Sequence, residues 1–244
     1  YKHMDIGSAK IRPEEMQGVP HHLIDILEPW EEFNVVVFQK RCLECMEQIY
    51  DRGHIPILVG GPGFYIQAVL RGIDFTENEE NTEYREKMEQ LAKEKGPEVL
   101  HDMLRKIDPV SADNIHANNI KRTIRALEYY ELTGEPISTH NEREKERTSP
   151  YNFSYFVLTD DREKLYARIE TRIDEMLSEG LVEEGRSLKT KGCHRGMVSM
   201  QGLGYKEILE YLDGECSLEE AVYTLKRDTR PVSYTHLRAH ETVL

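Results

Sequence analysis

The chain has 244 residues, a formal charge of −13, 39% apolar and 32% charged residues, which is enough apolar material for a sizeable core and points to one large domain or a domain with an inserted lobe. No apolar run reaches membrane-spanning length and no signal peptide is visible at Tyr1, so the expected location is cytoplasmic, with no membrane partner. The acidic balance argues against indiscriminate nucleic-acid affinity, which needs clustered Lys and Arg, and leaves room only for a local basic patch.

The opening residues 1–20 leave no room for a first strand, so the chain is expected to begin within a domain. Residues 21–26 are predicted as a short strand following Gly18 and Pro20. Its His21 and His22 point to opposite faces of a strand, a poor arrangement for a shared metal. Asn34 is the expected N-cap of a helix running to Arg52 and stopping at Gly53, with Phe33 and Phe38 in hydrophobic-staple positions. Cys42 and Cys45 form a C-x-x-C on that helix; with no second close pair to complete a zinc site, all four cysteines are expected to be reduced thiols.

The stretch IPILVGGPGFY, residues 55–65, then reads as a buried strand over 55–59 that delivers a glycine corner, Gly60, Gly61, Pro62 and Gly63, to the start of a helix over 64–70. In open α/β sheets, ligands sit at such strand ends, where backbone can approach them without an intervening Cβ. A tight turn with no ligand fits these eleven residues equally well. Strand, helix and strand over 21–59 make a βαβ unit and hence a parallel sheet.

From Ile73 the pattern changes. After the acidic stretch 76–83, helices are predicted over 83–95, 97–107, 109–115 and 119–133, with Gly96 and Gly134 as terminators, Pro97 and Pro109 in first turns and Asp108 as a cap. In the last of these, Ile120, Ile124 and Leu127 share one face, while Lys121, Arg122 and Arg125 occupy the other. Such charges ordinarily mark a solvated face. Three cations without an acid, in an acidic protein, also suit contact with a phosphate backbone.

Residues 148–152 are the expected hinge back to the sheet, 153–159 a returning strand, and 161–179 a long amphipathic helix ended by Gly180. Arg168 and Arg172 are four apart on it and could clamp an anion, or Arg172 could pair with Glu175 at the surface. A helix over 181–191 follows, then QGLGYKEI at 201–208, whose glycines open another helix with backbone N–H groups that could meet a phosphate or a base edge. The last helix starts from the capping box Ser217 and Glu220 and carries TLKRDTR.

MDIGSAK (4–10), GVPHHLIDI (18–26), ILVGGPGFY (57–65), KRTIRALE (121–128), DREKLYARIETRIDEML (161–177), QGLGYKE (201–207) and LKRDTR (225–230) stand in the order seen in the tRNA dimethylallyltransferase family, also called tRNA isopentenyltransferases. The chain resembles that family from residue 1 to about 230. The resemblance implies a P-loop NTPase-like α/β core with a parallel sheet, made of residues 1–75 and 148–230, a helical insertion at 76–147, and an atypical tail at 231–244. It implies transfer of a dimethylallyl group from dimethylallyl diphosphate to N6 of the adenosine 3′ to the anticodon, adenosine 37, with Mg2+ as cofactor, the tRNA anticodon stem-loop as partner, and a monomeric enzyme.

Carried over by position, the tRNA-contacting segments match Arg85, then Lys121, Arg122, Thr123, Ile124 and Arg125, and Gln201, Gly202, Leu203, Gly204, Tyr205, Lys206, Glu207 and Ile208. Gly60, Gly61, Gly63 and Tyr65 match the channel lining, and Pro62, Arg168 and Arg172 the catalytic positions, the two arginines on the diphosphate side. Three departures accompany the resemblance. The family's phosphate-binding loop and general-base Asp fall before Tyr1, so this chain alone is expected to be inactive. The family carries Thr where Pro62 stands, which removes a hydroxyl and an N–H. After Arg230 the sequence leaves the family pattern, and Pro231 is expected to break the helix and leave a loosely packed end. From the residues alone, a P-loop kinase for a small metabolite or nucleotide and a non-catalytic RNA-binding module remain open, although the basic face at 121–125 counts against the kinase.

Overall fold

A computed structural model describes residues 1–61, 63–75, 82–158 and 160–241, with the side chains of 82 and 231–241 outside that description. The chain divides into two units, Tyr1–Val69 with Asn152–Leu244, and Leu70–Tyr151.

The first unit contributes α1 (Val35–Asp51) and α2 (Gly63–Leu70) before the chain leaves it. Asn34 caps α1 as the sequence predicts, its side-chain oxygen accepting the N–H groups of Val36 and Val37, and the Phe33 and Phe38 rings meet edge-on at 6.4 Å. The assigned elements of the second unit among its described residues are helices: α3 (Thr82–Lys95), α4 (Pro97–Ile107), α5 (Pro109–Asn114), α6 (Ile120–Thr133) and α7 (Ile137–Glu146). The first four follow the capping residues read from the sequence. Asp108 accepts the Ser111 N–H at the start of α5, and Gly134 ends α6 in the left-handed conformation that its lack of Cβ permits. Met88, Ala92, Leu100, Leu104, Ile124 and Leu127 meet in this unit's core. Its two chain ends are latched: Arg147 donates to the Gly72 carbonyl, Arg71 to the Lys145 carbonyl at 3.4 Å, and the Asp74 N–H to Glu144 at 3.0 Å.

Back in the first unit lie α8 (Arg162–Glu179), α9 (Leu181–Thr190), a short 3-10 helix (Val198–Gln201), α10 (Tyr205–Leu212) and α11 (Leu218–Glu241). They enclose a core of Met4, Ile173, Leu181, Leu188, Met200, Tyr205, Ile208, Leu209 and Leu225. The Ser217 and Glu220 box closes in both directions, at 2.8 and 3.2 Å. Contrary to the expected break, α11 passes through Pro231. A proline inside a helix lacks its own N–H and forfeits one rung of the ladder without ending it. The loose packing expected of the tail lies outside the described side chains.

The three predicted strands are not strands among the described residues. In 21–26, Leu23 and Asp25 have φ of 61° and 54°, left-handed values that no pleated strand admits. Residues 55–59 and 153–158 carry no strand assignment among the described residues. Both keep an alternation of period two: Ile55, Ile57 and Val59 are exposed while Pro56 and Leu58 are half-buried, and exposed Phe156 and Leu158 flank half-buried Val157. No helix among the described residues is long and apolar enough to cross a membrane.

Candidate functional site

MDIGSAK is held to the helices behind it by one carboxylate. Glu184 of α9 accepts the N–H groups of Asp5, Ile6 and Gly7 at 2.9, 2.9 and 3.0 Å, and the Tyr205 hydroxyl at 2.6 Å. Burial, then the hydrogen bond to Glu184, pushes the Tyr205 phenol far above its ordinary range, so it stays a donor. Gly7 lies against the Tyr205 ring, where a Cβ would have no room.

This loop faces a cavity of about 540 Å³ walled by Asp5, Lys10, Arg12, Asp25 and, from α8, Arg172, Glu175 and Glu179 among others. Lys10 is ion-paired with Asp5 and Asp25 and donates to the Tyr1 carbonyl at 3.0 Å. Burial alone would lower the Lys10 ammonium, but the hydrogen bonds to Asp25 and Asp5 outweigh it and the net shift is upward. Arg12 pairs with Glu179 at 2.7 Å. Arg172 has no ion-pair partner among the described residues, Glu175 included, whereas Arg168 reaches Asp160 at 2.8 Å and is not part of the cavity wall. The two arginines, four residues apart, thus have different surroundings, Arg172 at the cavity and Arg168 on Asp160. The cluster at Lys10, Asp5 and Asp25 carries no role in the sequence reading, because its members are 5 and 15 residues apart in a loop without periodicity.

The glycine corner is open. Gly60 and Gly61 are exposed, Gly60 at a φ of 141° that favours glycine, and Gly63 is buried at the start of α2. Pro62 lies outside the described residues. Tyr65 packs on Phe38 with ring centroids 5.1 Å apart, and burial raises its phenol. In QGLGYKEI the side chains of Tyr205, Glu207 and Ile208 are buried, as is Gly204, and Glu207 accepts the Gly204 N–H at 2.8 Å. Gln201, Gly202 and Lys206 are exposed and Leu203 is half-buried.

In the second unit, Lys121, Arg122 and Arg125 are exposed on α6 and make no side-chain hydrogen bond or ion pair to another described residue. Thr123 and Ile124 are buried beneath them, and Thr123 donates to the Asn119 carbonyl at 3.1 Å. Arg85 of α3 forks onto Glu128 of α6, with Nη2 2.8 Å from Oε2. Glu128 is a residue the sequence reading does not single out: an acid three positions after Arg125 looks like ordinary surface charge.

His21 and His22 are exposed, and among the described residues no three His, Cys, Asp or Glu side chains group as metal ligands. The Mg2+ that the resemblance implies therefore has no ligand set there, and no step below runs through a metal.

The family described as IPP transferase matches residues 1–233. The chain belongs to that family. Among related IPP transferases, the tRNA dimethylallyltransferase of Lachnoclostridium phytofermentans is 61% identical over 94% of this chain and 74% of its own length. The full-length tRNA isopentenylpyrophosphate transferase of Bacillus halodurans superposes with a TM-score of 0.69 at 44% identity, over 99% of this chain and 75% of that one. A eukaryotic dimethylallyltransferase acting on tRNA gives a TM-score of 0.79 at 28% identity, over 97% and 60%.

Proposed function

We propose that the chain is a tRNA dimethylallyltransferase, moving a dimethylallyl group from dimethylallyl diphosphate to N6 of adenosine 37, next to the anticodon, as a monomer. The observation that carries the reading is family membership over residues 1–233, with a relative of that name 61% identical. In the reaction the exocyclic nitrogen forms a bond to the allylic carbon, the carbon–oxygen bond to diphosphate breaks, the diphosphate leaves with the electron pair, and the nitrogen gives up one proton. The reaction therefore calls for cations and N–H groups at the leaving charge and a base at the nitrogen.

Arg172 suits the leaving-group side better than Arg168, because it stands in a cavity wall without a competing carboxylate partner. Gly60, Gly61, Gly63 and Tyr65 are assigned to the channel lining, which the exposure of Gly60 and Gly61 supports. Lys121, Arg122, Arg125 and Arg85 are assigned to the RNA backbone. In 201–208, the RNA-facing share falls to Gln201, Gly202, Leu203 and Lys206, since the side chains of Tyr205, Glu207 and Ile208 are packed inside. A hairpin loop is the fitting substrate, for its adenine can be unstacked at small cost. The α/β reading, with residues 55–59 and 153–158 as strands of a parallel sheet of P-loop NTPase type, belongs to the same proposal. The nearly continuous apolar runs of both segments support it, as strands of a parallel sheet buried on both faces read that way.

A version given the amino-terminal phosphate loop and Asp that the resemblance calls for, incubated with an anticodon hairpin and dimethylallyl diphosphate, is expected to yield prenylated adenosine. Phosphate transfer from ATP to a small acceptor, with no prenylated RNA, would defeat the reading.

A further inference from the structure

Helix α6 holds more than its exposed cations. Lys121, Arg125 and Glu128 succeed one another at spacings of four and three residues, so they follow a single stripe of the helix. A bare carboxylate in that stripe would repel a phosphate backbone. Glu128 is 5% exposed, and the Arg85 guanidinium takes both its oxygens: Nε donates at 2.9 and 3.0 Å, Nη2 at 2.8 Å. A carboxylate so far from water needs a cation, and a two-toothed fork sets both the position and the plane of the guanidinium. The Arg85 side chain remains 33% exposed.

We infer that Glu128 is a positioning residue: it draws Arg85 out of α3 into the cationic stripe of α6 and fixes its guanidinium as a directed donor to RNA phosphate. This rests on the reading of α6 as an RNA-contacting surface. The Arg85–Glu128 pair adds no net charge to that surface. Its contribution is geometric, unlike that of Lys121 and Arg125, which act as counter-ions. Replacing the fork should therefore change affinity without reducing the number of ions released.

The test is binding of the full chain to an anticodon-hairpin RNA across a salt series. Arg85→Lys keeps the charge and loses the fork; it should weaken binding about threefold to tenfold with the salt slope unchanged. Glu128→Gln should weaken binding similarly when Arg85 is present and cause no further loss in an Arg85→Ala background. Wild-type affinity in Arg85→Lys, or an equal loss from Glu128→Gln in both backgrounds, overturns the inference. Because Arg85→Lys leaves the buried acid paired with a cation, it decides the matter even if Glu128→Gln fails to fold. If Arg85→Ala itself leaves RNA affinity unchanged, the assignment of Arg85 as a contact fails, a result distinct from failure of Glu128's role alone.

Discussion

Gly7 sits where a Cβ would lie 2.6 Å from a Tyr205 ring carbon and 2.9 Å from Leu181 Cδ1. Gly7→Ala is therefore expected to destabilise the fold by about 1–3 kcal/mol, read as a lowered thermal midpoint. Unchanged stability would mean that the loop is not clamped as described. At Cys42, burial, with Cys45 adding a smaller charge effect, pushes the thiol up to about 11. With the thiolate scarce at neutral pH, Cys42 should resist alkylation at pH 8 in the native protein and react once it is unfolded, as peptide mass analysis would report. Arg125, exposed and unpaired among the described residues, is the residue where the RNA reading is most exposed to disproof. Arg125→Ala should weaken hairpin binding and reduce the salt slope by about one ion; an unchanged slope would leave α6 with a merely solvated face.

Helix starts were legible wherever the capping group is local. Asn34, Asp108 and Ser217, read as caps, each bond the N–H expected of them, and Asn119 and Asp161, read as first helical residues, also prove to be side-chain caps. Helix α7 was not legible, and its cap shows why. Asp108 reaches across thirty residues to accept the Ser138 N–H at 3.0 Å, so the signal lies outside any local window. The same carboxylate thus caps two helices. Burial would raise its pKa, but the Ser111 and Ser138 hydrogen bonds hold it below the ordinary value. A carboxyl lowered on folding contributes stability above its unfolded pKa of about 3.9 and loses that contribution as pH falls through its lowered value. Asp108→Ala should cost about 1–2 kcal/mol at pH 7 and less below pH 3, measured by denaturant titration at both. The strand readings depend on partners, not on local signals. The apolar runs of 55–59 and 153–158 are local, but strand pairing is not, and the sequence of a segment does not name its neighbour.

At the scale of the molecule, a net charge of −13 coexists with a row of cations on one helix, so an acidic chain still presents a local surface suited to a phosphate backbone. The family was legible because its motifs run in order through both units. The division of labour within them was not: of eight residues in QGLGYKEI, Gly204, Tyr205, Glu207 and Ile208 are buried, and motif likeness alone does not distinguish a contact from its support. The most direct measurement is nucleotide-resolved mass spectrometry of an anticodon hairpin containing several adenosines, after reaction with dimethylallyl diphosphate and the chain joined to the phosphate loop and Asp that the family resemblance implies. The account predicts a single dimethylallyl group, on N6 of the adenosine 3′ to the anticodon. Prenylation scattered over other nucleotides, or an RNA bound yet unaltered, would contradict it.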